Sequence, residues 1–119
     1  YTNDVTPGIA ASIEVLYAGT GGGGEITFNT NATSSGTLTE AVRITETGSV
    51  GIGTNSIDGT LHVHTASAGT VTASPQADDL VIENGAEGGM TIITPDDQSA
   101  RIRFTSPSTN TDVGGASIF

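Results

Sequence analysis

The sequence predicts an all-β fold in which short strands and Gly-rich turns build an elongated, intertwined homotrimeric fibre. The first observation is compositional: Thr (20), Gly (17) and Ser (11) dominate the 119 residues. Thr loses rotamer freedom in a helix and Gly costs backbone entropy there, whereas both suit short strands and tight turns. The second is periodicity, because apolar residues recur every second position and no window carries a 3.6-residue apolar repeat. The third is scarcity. Apolar residues make up 34% of the chain, and the only aromatics are Tyr1, Tyr17, Phe28, Phe104 and Phe119. So thin a supply of large side chains favours a core shared between copies over one closed within a single chain.

The elements follow in order. Ile9, Ala11, Ile13, Val15 and Tyr17 alternate with Ala10, Ser12, Glu14 and Leu16, which is a strand with one face buried. Gly19 and the run Gly21 to Gly24 read as a flexible loop before a second strand, Glu25 to Thr30, and Asn31 to Thr37 reads as a polar loop. From Leu38 to Thr45 the pattern returns, with Leu38, Val42 and Ile44 on one face and Arg43 on the other.

Glu46-Thr47-Gly48-Ser49 then predicts a hairpin turn and Ser49 to Thr54 its return strand. Gly48 is the sensitive turn position, and Gly51 and Gly53 mark close approach of neighbouring backbones. Within this hairpin Val42, Ile44, Val50 and Ile52 are expected to face a core, with Arg43 and Thr45 nearer solvent. Leu61 to Thr65 is a further short strand.

The Thr/Ala/Ser/Gly stretch that follows, with Pro75, divides the chain into a β module over 1–65, a linker over 66–79 and a second β-meander over 80–119. The meander's strands are expected at Leu80 to Glu83, Met90 to Thr94, Ala100 to Thr105 and Ala116 to Phe119, separated by Asn84-Gly85, Pro95-Asp96-Asp97 and the polar loop Ser106 to Asp112. A start at Tyr1 and an end in mid-strand suggest an excerpt of a longer chain.

Charge narrows the partners. Three Arg and no Lys stand against 13 carboxylates, for a net charge of −10. Nucleic acid and anionic membrane surfaces both require clustered Lys and Arg, so neither is an expected partner, and no apolar run approaches a membrane span. The absence of Cys excludes disulfides and thiolate metal sites.

Two stretches carry a resemblance. The reading GEITFNTN followed by EAVRITETGSVGIGTNSIDGTLHV, through Val63, and the segment LVIENGAEGGMTIITPDDQSARIRF at Leu80 to Phe104 resemble the repeat modules of phage tail fibres. In that family these modules lie upstream of an endosialidase-type, self-cleaving intramolecular chaperone domain. Two positions depart from the family pattern: Ser49 stands where Asn is usual, and Ile57 where Pro is common. Nothing here is similar to the chaperone domain itself, so its self-cleavage does not carry over.

The resemblance implies a structural segment of a tail fibre, extracellular in the virion, that supports host-cell attachment. Its expected partners are two further copies of itself, other tail proteins, and a polysaccharide or protein receptor on the host surface. A trimeric surface adhesin and a polysaccharide-depolymerising tailspike are the alternatives.

The candidate chemical motifs are few. Gly51-Ile52-Gly53 lacks both the Lys of a phosphate-binding loop and the third Gly of a dinucleotide fingerprint, which leaves close strand packing. His62 and His64 project from one strand face about 7 Å apart at Cα. In a threefold fibre six such rings could surround an axial iron, nickel or zinc, provided that face points inward, whereas Leu61 and Val63 on the opposite face compete for the same core. Asp78-Asp79 and Asp96-Asp97 could take Ca²⁺ or serve as an acid/base pair, but turn carboxylates of this kind are usually solvated. The two His lie side by side and Cys is absent, so no nucleophile–base arrangement and no cofactor is expected; the reading is of a non-enzyme.

Overall fold

The computed structural model describes residues 10–18, 23–31, 37–70 and 72–102. Among these residues the secondary structure is entirely β. Six strands run β1 (Ala11–Ala18), β2 (Gly23–Thr30), β3 (Thr39–Ile44), β4 (Val50–Ile52), β5 (Leu61–His64) and β6 (Leu80–Glu83). They form one sheet in strict chain order, β1-β2-β3-β4-β5-β6, so the sheet grows in one direction as the chain proceeds. Gly23 and Gly24, expected in a loop, open β2 opposite Ala18 and Tyr17.

The first four strands are antiparallel, and β4–β5 and β5–β6 are parallel. The chain returns after β4 through 53–60 and after β5 through 65–79. Backbone bonds from Val50 to Thr60, Thr60 to Asp78, Leu61 to Asp79 and Thr65 to Glu83 (2.8–3.0 Å) tie these returns into the ladder. Parallel strands are ordinarily joined by helical crossovers, and here polar loops do the same job. The segment 66–79, read as a linker, therefore connects two neighbouring strands of one sheet. The chain's two compact units are Tyr1–Gly89 and Met90–Phe119.

The β3–β4 hairpin pairs Val42 with Ile52, Arg43 with Gly51 and Ile44 with Val50. Thr45 N–H donates to Ser49 O, Gly48 N–H donates to Thr45 O, and Gly48 has φ of +88°. This is the three-residue hairpin loop whose last residue is left-handed, the reason a Gly follows Glu46-Thr47. Space around Gly48 is open, so only its backbone conformation resists substitution. Gly48→Val should cost about 1–2 kcal/mol, whereas Thr47→Val in the same exposed loop should stay within about 0.5 kcal/mol. Urea denaturation of the two variants measures the difference.

Gly51 and Gly53 are constrained differently. A Cβ on Gly51 would sit 2.5 Å from Thr54 O and 2.8 Å from the Ile57 side chain, and one on Gly53 would sit 2.3 Å from His64 O. The close approaches expected at these glycines thus arise within one chain, where the 53–60 return folds back against β4 and β5.

Met90–Thr94 and Ala100–Ile102, expected as strands, carry no strand pairing. The remainder of that second expected strand and Ala116 to Phe119 lie outside the described residues.

Candidate functional site

Side chains alternate across each strand, and the register sorts them into two contrasting faces. On one face Val15, Ile26, Ile44, Val50, Leu61 and Leu80 form an unbroken row across all six strands. Ile13, Phe28, Val42, Ile52, Val63 and Ile82 form a second row beside it. No polar side chain interrupts either row. At a strand spacing of about 4.8 Å, this is an apolar strip roughly 24 Å long.

Nothing in the described chain covers the strip. Among the described residues no hydrophobic side chain is fully buried: Val15 is 76% exposed, Ile13 69%, Leu80 50% and Ile52 40%, while Val42, Ile44, Val50, Leu61 and Val63 are half-buried. The register places Val42, Ile44, Val50 and Ile52 on one face as expected, but among the described residues that face meets no fully buried core.

The opposite face is polar and better enclosed. Among the described residues Thr27 and His62 are its two fully buried side chains, each 1% exposed. Arg43 grips Glu40 through both its Nε (2.8 Å) and Nη2 (2.5 Å), and its Nη1 meets Glu25. Residues three apart on a regular strand point to opposite faces. The register shift opposite Phe28/Asn29 leaves Ala41 as an extra residue and brings Glu40 round to Arg43's side. The side-chain bonds and charges of both Glu hold the Arg43 guanidinium pKa above its ordinary value, Glu40 contributing most. Asn29 Nδ2 donates to Ser12 and Thr27, extending the polar ladder to β1. Arg43, expected nearer solvent, thus lies partly buried in an ion-pair network.

Farther along the same face, His62 and His64 stack edge to face with ring centroids 5.8 Å apart. Both approach Glu83 Oε2, His62 Nε2 at 3.1 Å and His64 Nε2 at 4.0 Å. Among the described residues the one cluster with three possible metal ligands is Asp58, His62 and Glu83.

The His62 ring argues against ligation on its Glu83 side. Nδ1 accepts the Asp58 backbone N–H at 3.3 Å, which leaves the proton of the neutral ring on Nε2. A ligating His shows the reverse arrangement, with its outer N–H donating. Nε2 also makes no in-line hydrogen bond, so its contact with Glu83 is electrostatic. Both imidazoles lie on the polar face, opposite the apolar strip, and His62 is enclosed by its own chain. Asp58 and Glu83 were not foreseen as its neighbours, since only the pairing of β5 with β6 and the 53–60 return bring them there.

Glu83 has a lowered pKa, first because Ala68 N–H donates to its Oε1 at 2.6 Å, then through attraction to His64 and His62. A carboxyl group lowered on folding stabilises the native state above the ordinary glutamate range. That stabilisation is lost as pH falls through the native value. Glu83→Gln should therefore flatten the acid limb of the stability–pH curve while leaving its shape above neutrality unchanged, as followed by thermal melts from pH 3 to 8.

Asp78 and Asp79 sit at the start of β6 with their carbonyls in the ladder, and Asp96 and Asp97 lie in an exposed turn of the second unit. Neither pair belongs to a three-ligand cluster among the described residues. Thr39, Glu40, Gly53, Thr54, Asn55 and His64 line a polar hollow at one end of the strands. The most distinctive surface of this all-β sheet remains its apolar strip. No family model, curated protein or solved structure matches the chain.

Proposed function

We propose that this chain is a structural segment of a homotrimeric phage tail fibre that supports host-cell attachment. The observation that carries the trimer is the apolar strip together with the lack of any fully buried hydrophobic side chain among the described residues. Each aliphatic side chain left in water forgoes about 1.5–3 kcal/mol of burial, so a single copy lacks the main force that holds a sheet together. Two further copies supply a cover that matches in length, row spacing and chemistry, because it is the same strip around a threefold axis. The polar face, with its Glu and Arg network and the 53–60 loop, then faces outward. The strict strand order lets the sheet lengthen along the axis as the chain advances. The tail-fibre assignment rests on the resemblance of the two quoted stretches, and the role is one of spacing and support rather than catalysis.

Electron micrographs of the purified chain should show slender particles, and antibodies raised to it should decorate the fibres of tailed phage particles. Decoration of bacterial surfaces alone would move the assignment to an adhesin. Release of oligosaccharides from host polysaccharide would move it to a depolymerase.

A further inference from the structure

The turn that ends β6 holds a reactive pair. Asn84-Gly85 is the only Asn-Gly step in the sequence, and it directly follows Glu83, the last residue of the strand. Packing requires a glycine there, because a Cβ on Gly85 would lie 2.8 Å from Ser67 O and 3.3 Å from the Ala66 side chain. The missing side chain also leaves the backbone nitrogen of Gly85 open to an approaching group. That N–H donates to no acceptor among the described residues, and Gly85, Ala86 and Glu87 are exposed. The Asn84 carboxamide is turned toward the chain that follows it: Oδ1 accepts the Ala86 N–H at 3.3 Å and Nδ2 donates to Glu87 O at 2.9 Å. Both bonds are confined to the turn, so the side chain can move without disturbing the sheet, and the Ala86 N–H draws electron density from the carboxamide carbon.

We propose that Asn84 is a site of self-deamidation, with the backbone nitrogen of Gly85 as nucleophile and water as co-reactant. Gly85 N gives up its proton and bonds to Asn84 Cγ. The Cγ–Nδ2 bond breaks, Nδ2 leaves with that proton as ammonia, and a succinimide ring closes. Water then opens the ring. Attack at Cγ yields aspartate, and attack at the Asn84 backbone carbonyl yields isoaspartate, with no change of oxidation state in either case. Both products replace the Nδ2 donor with an ionised carboxylate, so Glu87 O loses its partner and a third carboxylate joins those of Glu83 and Glu87. Isoaspartate also lengthens the main chain by one carbon at the end of β6 and draws Gly85 away from Ser67. The outer strand of the sheet thus carries a slow covalent change that needs no enzyme.

Fragmentation mass spectrometry on the full chain tests this, with samples kept folded at mildly alkaline pH, checked by circular dichroism and drawn over weeks. Position 84 should gain the mass that replaces NH2 with OH, with ammonia released in equal amount. Isoaspartate should accompany aspartate there, and isoelectric focusing should show one added negative charge on a chain whose formal net charge is −10. Asn29 and Asn55, followed by Thr30 and Ser56 rather than Gly, should remain amides over the same period. Asn84→Gln, which would have to close a larger ring, should fold and keep its amide. An Asn84 still intact at the end, or one that converts no sooner than Asn55, would overturn the assignment. Conversion to aspartate without isoaspartate would overturn it equally, since that is direct hydrolysis without Gly85. Conversion confined to samples that have lost their β-type circular dichroism would remove the folded turn from the reaction.

Discussion

Ile52→Asp should abolish the folded assembly. In the isolated chain Ile52 is 40% exposed, and a carboxylate there would remain hydrated and cost little. Around a threefold axis the same substitution places three carboxylates within one apolar interface, opposite Val42 and Val63 and their symmetry copies. An uncompensated buried charge costs about 3–5 kcal/mol, and like charges brought together add to it. The expected result is a chain without β-type circular dichroism, or an aggregate, under conditions in which the parent is folded. Thr47→Asp, in the exposed hairpin loop, should fold normally. A folded Ile52→Asp protein with parental stability would mean that the strip faces solvent.

Of the three glycines Gly48, Gly51 and Gly53, Gly53 should tolerate Ala least. Gly53 has φ of +77°, and its added Cβ would lie 2.3 Å from His64 O. The left-handed conformation alone costs about 1–2 kcal/mol for Ala. The clash is with backbone, so relief requires β4 and β5 to move apart, at the further 1–3 kcal/mol or so typical of overpacking. Gly51→Ala meets Thr54 O at 2.5 Å and the Ile57 side chain, part of which can shift. Gly48→Ala meets nothing within 4 Å. Urea midpoints should therefore fall in the order Gly48→Ala, Gly51→Ala, Gly53→Ala, with the last losing most. Equal losses at the three positions would show that the return loop does not hold β4 against β5.

The parts of the fold legible in the sequence are those whose pairing is local. The hairpin from Ala41 to Thr54 follows from alternation on either side of a turn containing Gly48, and Leu80 to Glu83 is bounded by turn residues at both ends. The parallel pairing of β4, β5 and β6 was not legible. Its contacts join residues separated by whole loops, and alternation on a short strand is silent about which neighbour it takes. For the same reason Glu83 could not be foreseen beside His62. Glu40's reach to Arg43 was hidden as well, because it depends on the extra residue at Ala41.

Propensity alone places Gly23 and Gly24 in a loop, yet they extend β2 opposite Ala18 and Tyr17, where cross-strand pairing outweighs the entropic cost of Gly. The apolar strip was written in the alternation of every strand. Its continuity across six strands emerges only once the register is known.

Sedimentation equilibrium on the folded chain tests the central claim most directly. Three copies of an 11.9 kDa chain should sediment as a single species at three times the chain mass, with β-type circular dichroism lost in the same transition that separates the copies. A well-folded species at the mass of one chain, stable on dilution, would contradict the account.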